Sequence, residues 1–456
     1  MKPNTPLATV LLTAVACSGA SAAWFDDLAG IDLGGGPDIP GLPIVTRHSG
    51  QETHVYVMDL QGAIDDAQPG DRIEVGPGTW PGGIVIDGIN GLELTAPAGP
   101  IATVIDGGGL TRGILVRNCT DMRIHGLGII NCVTPPTEEF GFIDGGGAGV
   151  LADFCPFFRI TSCWFRGNTA TKRGGGLGMV FSNDATVGQC VFQDNHVTYI
   201  GTGGGVSIAY STRGVVEDCW FTENTVSGGG GALRAGGTDG SGLTIRNCRF
   251  HGNEASWGGA MYLQGLNDGR DPGRVTLEIC HFIGNTATEA QYGGGAVTIG
   301  GWMRVVAIQS NFVHNRAYRN GAIGIAGSTL LMDECLMAGN RGREGSDNVY
   351  VYETATVHIT RSHGDCHQPL AESIDGPWED LAENGHLDHC GYTADLNWDG
   401  HVGIEDMLTL LAQWGNTPLQ RADIARGDGE NRSRVDGADL MRMLEAWGDL
   451  APSLFD

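Results

Sequence analysis

The sequence predicts an all-β chain wound as a parallel β-helix solenoid, and three observations in it carry that prediction. A phrase built on Phe-x-x-Asn recurs seven times between Cys163 and Asn340. A paired-glycine phrase falls between its copies. Around both, apolar and polar residues alternate with the period of a strand.

The Asn phrases hold Phe165 with Asn168, Phe192 with Asn195, Phe221 with Asn224, Phe250 with Asn253, Phe282 with Asn285, Phe312 with Asn315, and Met337 with Asn340. Their Asn residues are 27, 29, 29, 32, 30 and 25 positions apart. A unit that short cannot bury its own apolar face, so each must stack on the next. Between them stand Gly175-Gly176, Gly204-Gly205, Gly230-Gly231, Gly258-Gly259 and Gly294-Gly295, fading to Asn320-Gly321. The run from Gly242 to Phe250 alternates faces, which is a strand period rather than a helical one. With 75 glycines in the chain, helices would be weak. Phe and the residue two before it point inward together. Asn at the corner can bond neighbouring turns as amide ladders do, and it tolerates left-handed backbone. Successive rungs should lie ~4.8 Å apart.

The N-terminal part fits the same architecture. Asp59 to Ala67 reads as a short amphipathic helix that caps the first rung and covers an otherwise open sheet edge. Strands are expected from Gly70 to Trp80, Gly83 to Ile86, Leu92 to Thr95, Ala102 to Ile105, Gly113 to Val116 and Met122 to Ile130.

Residues 1–22 read as a secretory signal, with Lys2, an apolar run from Leu7 to Cys17, and Ala20-Ser21-Ala22 at the cleavage point. Cys17 behind Ala14 and Ala16 leaves a lipoprotein signal open. No other stretch reaches the ~18 apolar residues of a membrane span. The expected divisions are a linker at 23–53, the β-helix at 54–362, a second linker at 363–390, a separate module at 391–450 and a tail at 451–456. The protein is expected outside the cell or at a bacterial surface. A net charge of −26 argues against nucleic acid as a partner and against anionic membranes. It also disfavours acidic glycans unless Ca²⁺ intervenes.

Six of the twelve cysteines, Cys163, Cys190, Cys219, Cys248, Cys280 and Cys335, occupy one equivalent inward position, with Ser310 in the same slot. They read as small buried hydrophobes, with occasional bridging between stacked neighbours left open. Cys119, Cys132 and Cys155 fall outside this pattern. Cys366 and Cys390 read as a linker disulfide, and with His363, His367, His386 and His389 nearby they also have spacings that suit zinc.

From His363 onward the repeats stop, and 19 Asp and Glu stand against 5 Arg. Asp395, Asn397, Asp399 and Asp406 occupy positions 1, 3, 5 and 12 of a calcium loop of the EF-hand type, with Gly400 at position 6 and the His401 carbonyl at position 7. A helix is expected from Met407 to Trp414, closed by Gly415. The pattern returns 33 residues later, Val402, Asp406, Trp414 and Gly415 matching Val435, Asp439, Trp447 and Gly448. The second loop offers Asp428, Glu430 and Asp439 but has Arg432 where a carboxylate belongs and Ser433 in place of Gly. One good Ca²⁺ site and one impaired site are expected. This tandem loop-helix pair resembles a type I dockerin, which implies docking onto a cohesin-like or other surface receptor. Ile404-Glu405 and Gly437-Ala438 stand where dockerins usually carry hydroxyl residues for cohesin recognition.

The alternating glycine and Phe-x-x-Asn phrases over Gly174 to Asn340 resemble the passenger repeats of chlamydial polymorphic outer-membrane proteins, which are surface adhesins. More broadly the region is similar to right-handed β-helix proteins of the pectin-lyase-like group, which implies a right-handed coil. The dockerin-like module stands where those adhesins carry a membrane barrel.

Two functions compete. The favoured one is a non-catalytic surface or adhesion protein, a stiff β-helix that binds carbohydrate or protein. The alternative is a polysaccharide lyase or glycoside hydrolase, which needs paired carboxylates about 5–9.5 Å apart or a base opposite a carboxylate neutraliser. Asp194 and Glu223, one rung apart, are the best repeated carboxylate pair, although Gly fills that slot in most repeats. His251 and His281 are candidates for pairing across rungs, and His125-Gly126 reads as a structural turn. An enzyme should wall one face of the coil with long loops. The sizeable insertions are Cys132 to Gly147, Gly236 to Gly242, Leu266 to Gly273 and Ala287 to Gly293, and they bring Asp239, Asp268, Asp271 and Arg270.

Overall fold

Alternating side chains that point inward at a period near 29 residues require a coil whose every turn meets the last in register. The computed structural model shows that coil, an all-β parallel solenoid. It describes residues 43–134, 146–237, 242–265, 271–289, 293–343, 346–352, 354–364, 370–382, 384–386 and 407. The chain divides into two units, and residues up to His363 together with Leu370–Asn384 form the first, which holds the solenoid. The calcium-loop residues Asp395, Asn397, Asp399, His401, Asp406, Asp428, Glu430 and Asp439 lie outside the described residues, as do Asp239, Asp268, Arg270, Cys366 and Cys390.

One turn shows the path of the chain. Arg159–Thr161 lies in sheet 1, Trp164–Arg166 in sheet 2, Thr169–Ala170 in the short sheet 4, and Leu177–Val180 in sheet 3. The next turn repeats it at Thr186–Gly188, Val191–Gln193, His196–Val197 and Val206–Ala209. Parallel pairing keeps equivalent residues level, so Phe165 meets Phe192 and Phe192 meets Phe221.

That register turns sequence repetition into columns. Phe165, Phe192, Phe221, Phe250, Phe282 and Phe312 stack with ring centroids 4.6–4.9 Å apart and planes within 8° of parallel. All are fully buried, and offset stacks of this kind add about 0.5–1.5 kcal/mol each beyond area burial. Beside them runs the Asn column. Asn195 Nδ2 donates to Asn224 Oδ1 at 2.9 Å and to the Phe165 carbonyl at 3.0 Å, while its backbone N–H donates to the same Asn224 oxygen at 3.1 Å. Every copy from Asn168 to Asn315 repeats these bonds to its neighbour. Buried corner groups that would each cost about 1–3 kcal/mol if unpaired are satisfied.

The nine described cysteines are all free and buried. In the inward column each thiol donates to the carbonyl two residues back, as Cys190 does to Gly188 at 3.2 Å. Burial pushes the Cys280 and Cys335 thiols up to about 12, as expected of packing residues. The three cysteines outside the sequence pattern also belong to columns. The Cys132 N–H donates to Asn168 Oδ1 at 3.0 Å, which makes it the first member of the Asn column. Cys119 and Cys155 start a third ladder that Ser182 and Ser211 continue, with the Cys155 N–H donating to Ser182 Oγ at 3.1 Å and the Ser182 N–H to Ser211 Oγ at 2.9 Å.

At the N-terminal end helix α1 spans Leu60–Asp65, with the Asp59 side chain accepting the Gly62 N–H and Leu60, Ala63 and Ile64 buried. Two boundaries differ from the sequence reading. Residues 44–49, assigned to a linker, form a strand that pairs antiparallel with Glu52–Val57 and with Arg72–Val75. A buried Arg47–Asp71 ion pair at 2.9 Å holds this edge. Beyond residue 362, Ile374–Asp375 and Glu379–Ala382 still pair with solenoid strands, so the coil extends into the segment read as the second linker. The stretch from Met122 to Ile130 is two strands, Arg123–His125 and Gly128–Ile130, because Gly126 turns the chain between sheets at φ 76°.

Candidate cleft on the outer face of sheet 3

The four faces of the coil differ in what they leave unsatisfied. On sheet 2 the outward residues Arg166, Gln193, Thr222, His251 and His281 lie on an open surface. Arg166 and Arg249 sit 5.4 Å over the Trp164 and Trp220 rings. His251 and His281 are not level in register but two positions apart. His281 aligns with Arg249, and His251 with Ile283, because one histidine precedes its Phe and the other follows it. His125 bonds Thr161 Oγ1 through Nδ1 at 2.9 Å.

Asp194 and Glu223 come together one rung apart, as their phrases imply. Their slot is a left-handed corner, with φ 54° at Asp194 and 56° at Glu223, and Gly167, Gly252, Gly284 and Gly339 take the same conformation in their rungs. Backbone geometry therefore explains why Gly alternates with these acids. Neither side chain makes an ion pair or hydrogen bond among the described residues.

Sheet 3 is different. Its inward residues, such as Leu177, Val206 and Leu233, join the core. Register sets Leu151, Gly178, Ser207, Arg234, Tyr262 and Thr298 in one outward row. Outward residues of a sheet face water unless the face is recessed, and here Leu151 and Ser207 are only 2% exposed and Thr298 7%. One edge of the face is the ridge of Arg173, Thr202, Gly229 and Trp257, which bridge from turn to turn. Trp257 approaches Tyr262 at 6.3 Å between ring centroids.

The other edge carries Phe154, Phe181 and Tyr210, stacked at 4.7 and 5.2 Å. These rings lie outside the core, with Phe154 49% and Phe181 39% exposed. All three have positive φ, 52°, 49° and 50°, where a bulky side chain costs about 1–2 kcal/mol relative to its usual conformation. Glycine closes the row at Gly237, where a Cβ would fall 2.7 Å from Tyr210 Cδ1. Next to it, a Cβ on Gly236 would fall 2.4 Å from Arg234 Nη2. Two small residues thus make room for the tyrosine ring and for the guanidinium.

On this face several polar atoms are not satisfied, although Thr298 Oγ1 accepts the Gly294 N–H at 3.0 Å. Nε and Nη1 of Arg234, Oγ of Ser207 and Oγ1 of Thr202 are buried without a hydrogen-bond partner among the described residues. Burial, and then the neighbouring charge of Arg173, bring Arg234 down to about 10. Burial likewise lowers Arg173. The charged and phenolic groups acting on Arg234 are Arg173, Tyr262 and Tyr210, with no carboxylate among them.

The four insertions adjoin strands of this sheet in chain order. Those at 135–145 and 290–292 precede the sheet 3 strands Val150–Asp153 and Val297–Gly300. Those at 238–241 and 266–270 follow the sheet 3 strands Leu233–Gly236 and Met261–Gln264. The loop residues themselves lie outside the described residues apart from their ends, where Asp271 is exposed. Sequence reasoning missed Arg173, Ser207 and Arg234, which belong to no repeated phrase, and the three surface aromatics, whose repeat spacing was not followed.

Residues 112–311 match the family model described as a right handed beta helix region. Among solved structures, the catalytic domain of a GH87 alpha-1,3-glucanase in complex with tetrasaccharides aligns at 9% identity and a TM-score of 0.37, covering 68% of this chain and 64% of that one. The tailspike of Pseudomonas phage phi297 aligns at 14% identity and 0.36, covering 72% of this chain and 50% of that one. A pectin methylesterase in complex with a hexasaccharide aligns at 11% and 0.30, covering 71% and 89%. The chain thus spans less than two thirds of the length of the first of these. At such identities the likeness concerns the fold alone. No curated protein matches the sequence. No helix among the described residues is long and apolar enough to cross a membrane.

Proposed function

We propose that this protein is an exported β-helix that binds an extended glycan along the outer face of sheet 3 without cleaving it. The observation that carries this reading is the recessed face itself, where stacked aromatics border unpartnered hydroxyl and guanidinium donors. Sugar rings present apolar faces to aromatic side chains and hydroxyls to buried donors, and such a groove offers both. One coil repeats its geometry every ~4.8 Å, which suits a ligand that is itself a linear repeat. In this reading the signal at residues 1–22 directs export. The dockerin-like module then attaches the rod to a cohesin-like or other surface receptor, with Ca²⁺ held by Asp395, Asn397, Asp399, Asp406 and the His401 carbonyl, and more weakly by Asp428, Glu430 and Asp439.

One observation favours the enzymatic alternative, a polysaccharide lyase or glycoside hydrolase. All four insertions join strands of the sheet that carries the cleft, as walls of an active site would, and two of them bring Asp239, Asp268 and Asp271.

A panel of neutral and charged oligosaccharides incubated with the full-length protein separates the two. Saturable binding with no new reducing or unsaturated ends supports the rod. Release of such ends supports the enzyme, and its loss in Asp268→Ala or Asp271→Ala would assign the carboxylates. Absence of binding to any glycan would overturn both.

A further inference from the structure

We propose that Arg234, with Arg173 beside it, forms an oxyanion subsite in the cleft that takes the carboxylate or sulfate group of an acidic glycan. The inference rests on the glycan-binding reading and names the ligand chemistry. It reverses the expectation, drawn from net charge, that acidic glycans are disfavoured.

Cations are scarce on this chain, with 27 Lys and Arg against 53 Asp and Glu. Four exposed arginines of the described solenoid, Arg117, Arg213, Arg246 and Arg361, ion-pair with a carboxylate one rung away, as Arg117 does with Asp87 at 2.9 Å and Arg213 with Asp184 at 2.7 Å. Arg234 does not. It makes no ion pair among the described residues, Nε and Nη1 are buried unbonded, and the charge acting most on it is a second guanidinium. Arg234 is half-buried as a residue, and the part of its guanidinium withdrawn from water loses hydration that an anion would compensate.

Nothing in the solenoid's packing requires this arrangement. The same outward row holds Gly178, Ser207, Tyr262 and Thr298 in neighbouring turns, so a neutral residue would fit the fold at position 234. The guanidinium fork presents parallel N–H groups to a planar carboxylate or to sulfate oxygens. Ser207 Oγ, one rung below on the same row, is likewise buried without a partner among the described residues. Tyr210 and Tyr262, which both act on Arg234, flank the position where the ligand's ring would lie.

The test measures binding of the full-length protein to three oligosaccharides matched in length: an oligouronate, a sulfated neutral oligosaccharide and its unsulfated parent. The wild type should prefer at least one charged ligand by at least about tenfold over the neutral one, the range of a charge-assisted hydrogen bond. The oligouronate and sulfated arms tell carboxylate from sulfate. Arg234→Gln should abolish the preference and leave neutral affinity within about twofold, while Arg234→Lys should keep part of it. Without ligand, Arg234→Met should hold or raise Tm, because it removes an uncompensated charge. A fall in Tm on Arg234→Met would assign the residue a structural role and overturn the subsite.

Equal binding of all three ligands by the wild type would also overturn the subsite while leaving glycan binding intact. Absence of binding to every oligosaccharide would overturn the glycan reading instead. In that event sulfate or acetate, titrated as simple anions, should still raise the Tm of the wild type and not of Arg234→Gln. Failure of that shift would remove the subsite as well.

Discussion

The interior columns and the outer face of sheet 3 are built on one register yet follow opposite rules. Inside, each Phe meets a Phe and each Asn satisfies its neighbour, so every turn repeats the last and little polar capacity is left over. Outside, the row through Ser207, Arg234 and Tyr262 changes residue at every turn and leaves buried donors open. Repetition marks where the fold is specified, and its breakdown marks where a ligand can be read.

The largest effect should come from breaking the aromatic column. Phe221→Ala leaves a void between Phe192 and Phe250, whose rings stack on it at 4.9 and 4.8 Å. A cost of about 3–5 kcal/mol is expected, measured by urea unfolding of the full-length protein. A cost under ~1 kcal/mol would mean that the column collapses around the gap and that packing between turns is not what holds the coil.

Asn224→Ala should cost somewhat less, about 2–4 kcal/mol. It strips the partner from the Asn195 N–H and Nδ2, and it removes the donor to the Phe192 carbonyl. Each stranded buried group costs about 1–3 kcal/mol, partly recovered if water reaches it. Loss of protection at the Asn195 and Asn224 corners in hydrogen exchange would locate the damage. Unchanged stability would show that the ladder is incidental to a backbone coil that closes without it.

Legibility in the sequence divides along the same line. Phe, Asn and Cys columns could be read in advance because identical side chains at a fixed period are what a column is. The left-handed corner was half visible, since Gly alternating with Asp194 and Glu223 signals a backbone demand. Chemistry on the face of sheet 3 was hidden, because Arg234 occurs once in its row and alternation alone cannot tell an outward strand position that is recessed from one that is bare. One signal was available. Phe154, Phe181 and Tyr210 are 27 and 29 residues apart, the same spacings as Asn168, Asn195 and Asn224. Helix α1 was legible from its amphipathic run, while the flanking strand at 44–49 was not, because its partners are antiparallel and lie outside the repeat.

That surface ladder gives the smallest expected change in stability and the sharpest contrast with the interior. Phe181 stacks on Phe154 and Tyr210, and losing both contacts costs about 0.5–1.5 kcal/mol each at most, less where the rings are exposed. Phe181→Gly also relieves a left-handed backbone worth about 1–2 kcal/mol. The two terms nearly cancel, so Tm should move little, in contrast to Phe221→Ala on the same fold. Glycan affinity should fall by about tenfold, as when an aromatic anchor is cut from an interface. A Tm loss matching the interior variant would make the ladder part of the scaffold. Full affinity in a stable Phe181→Gly protein would move the binding face elsewhere on the coil, with the Trp164 and Trp220 surface of sheet 2 the next place to look.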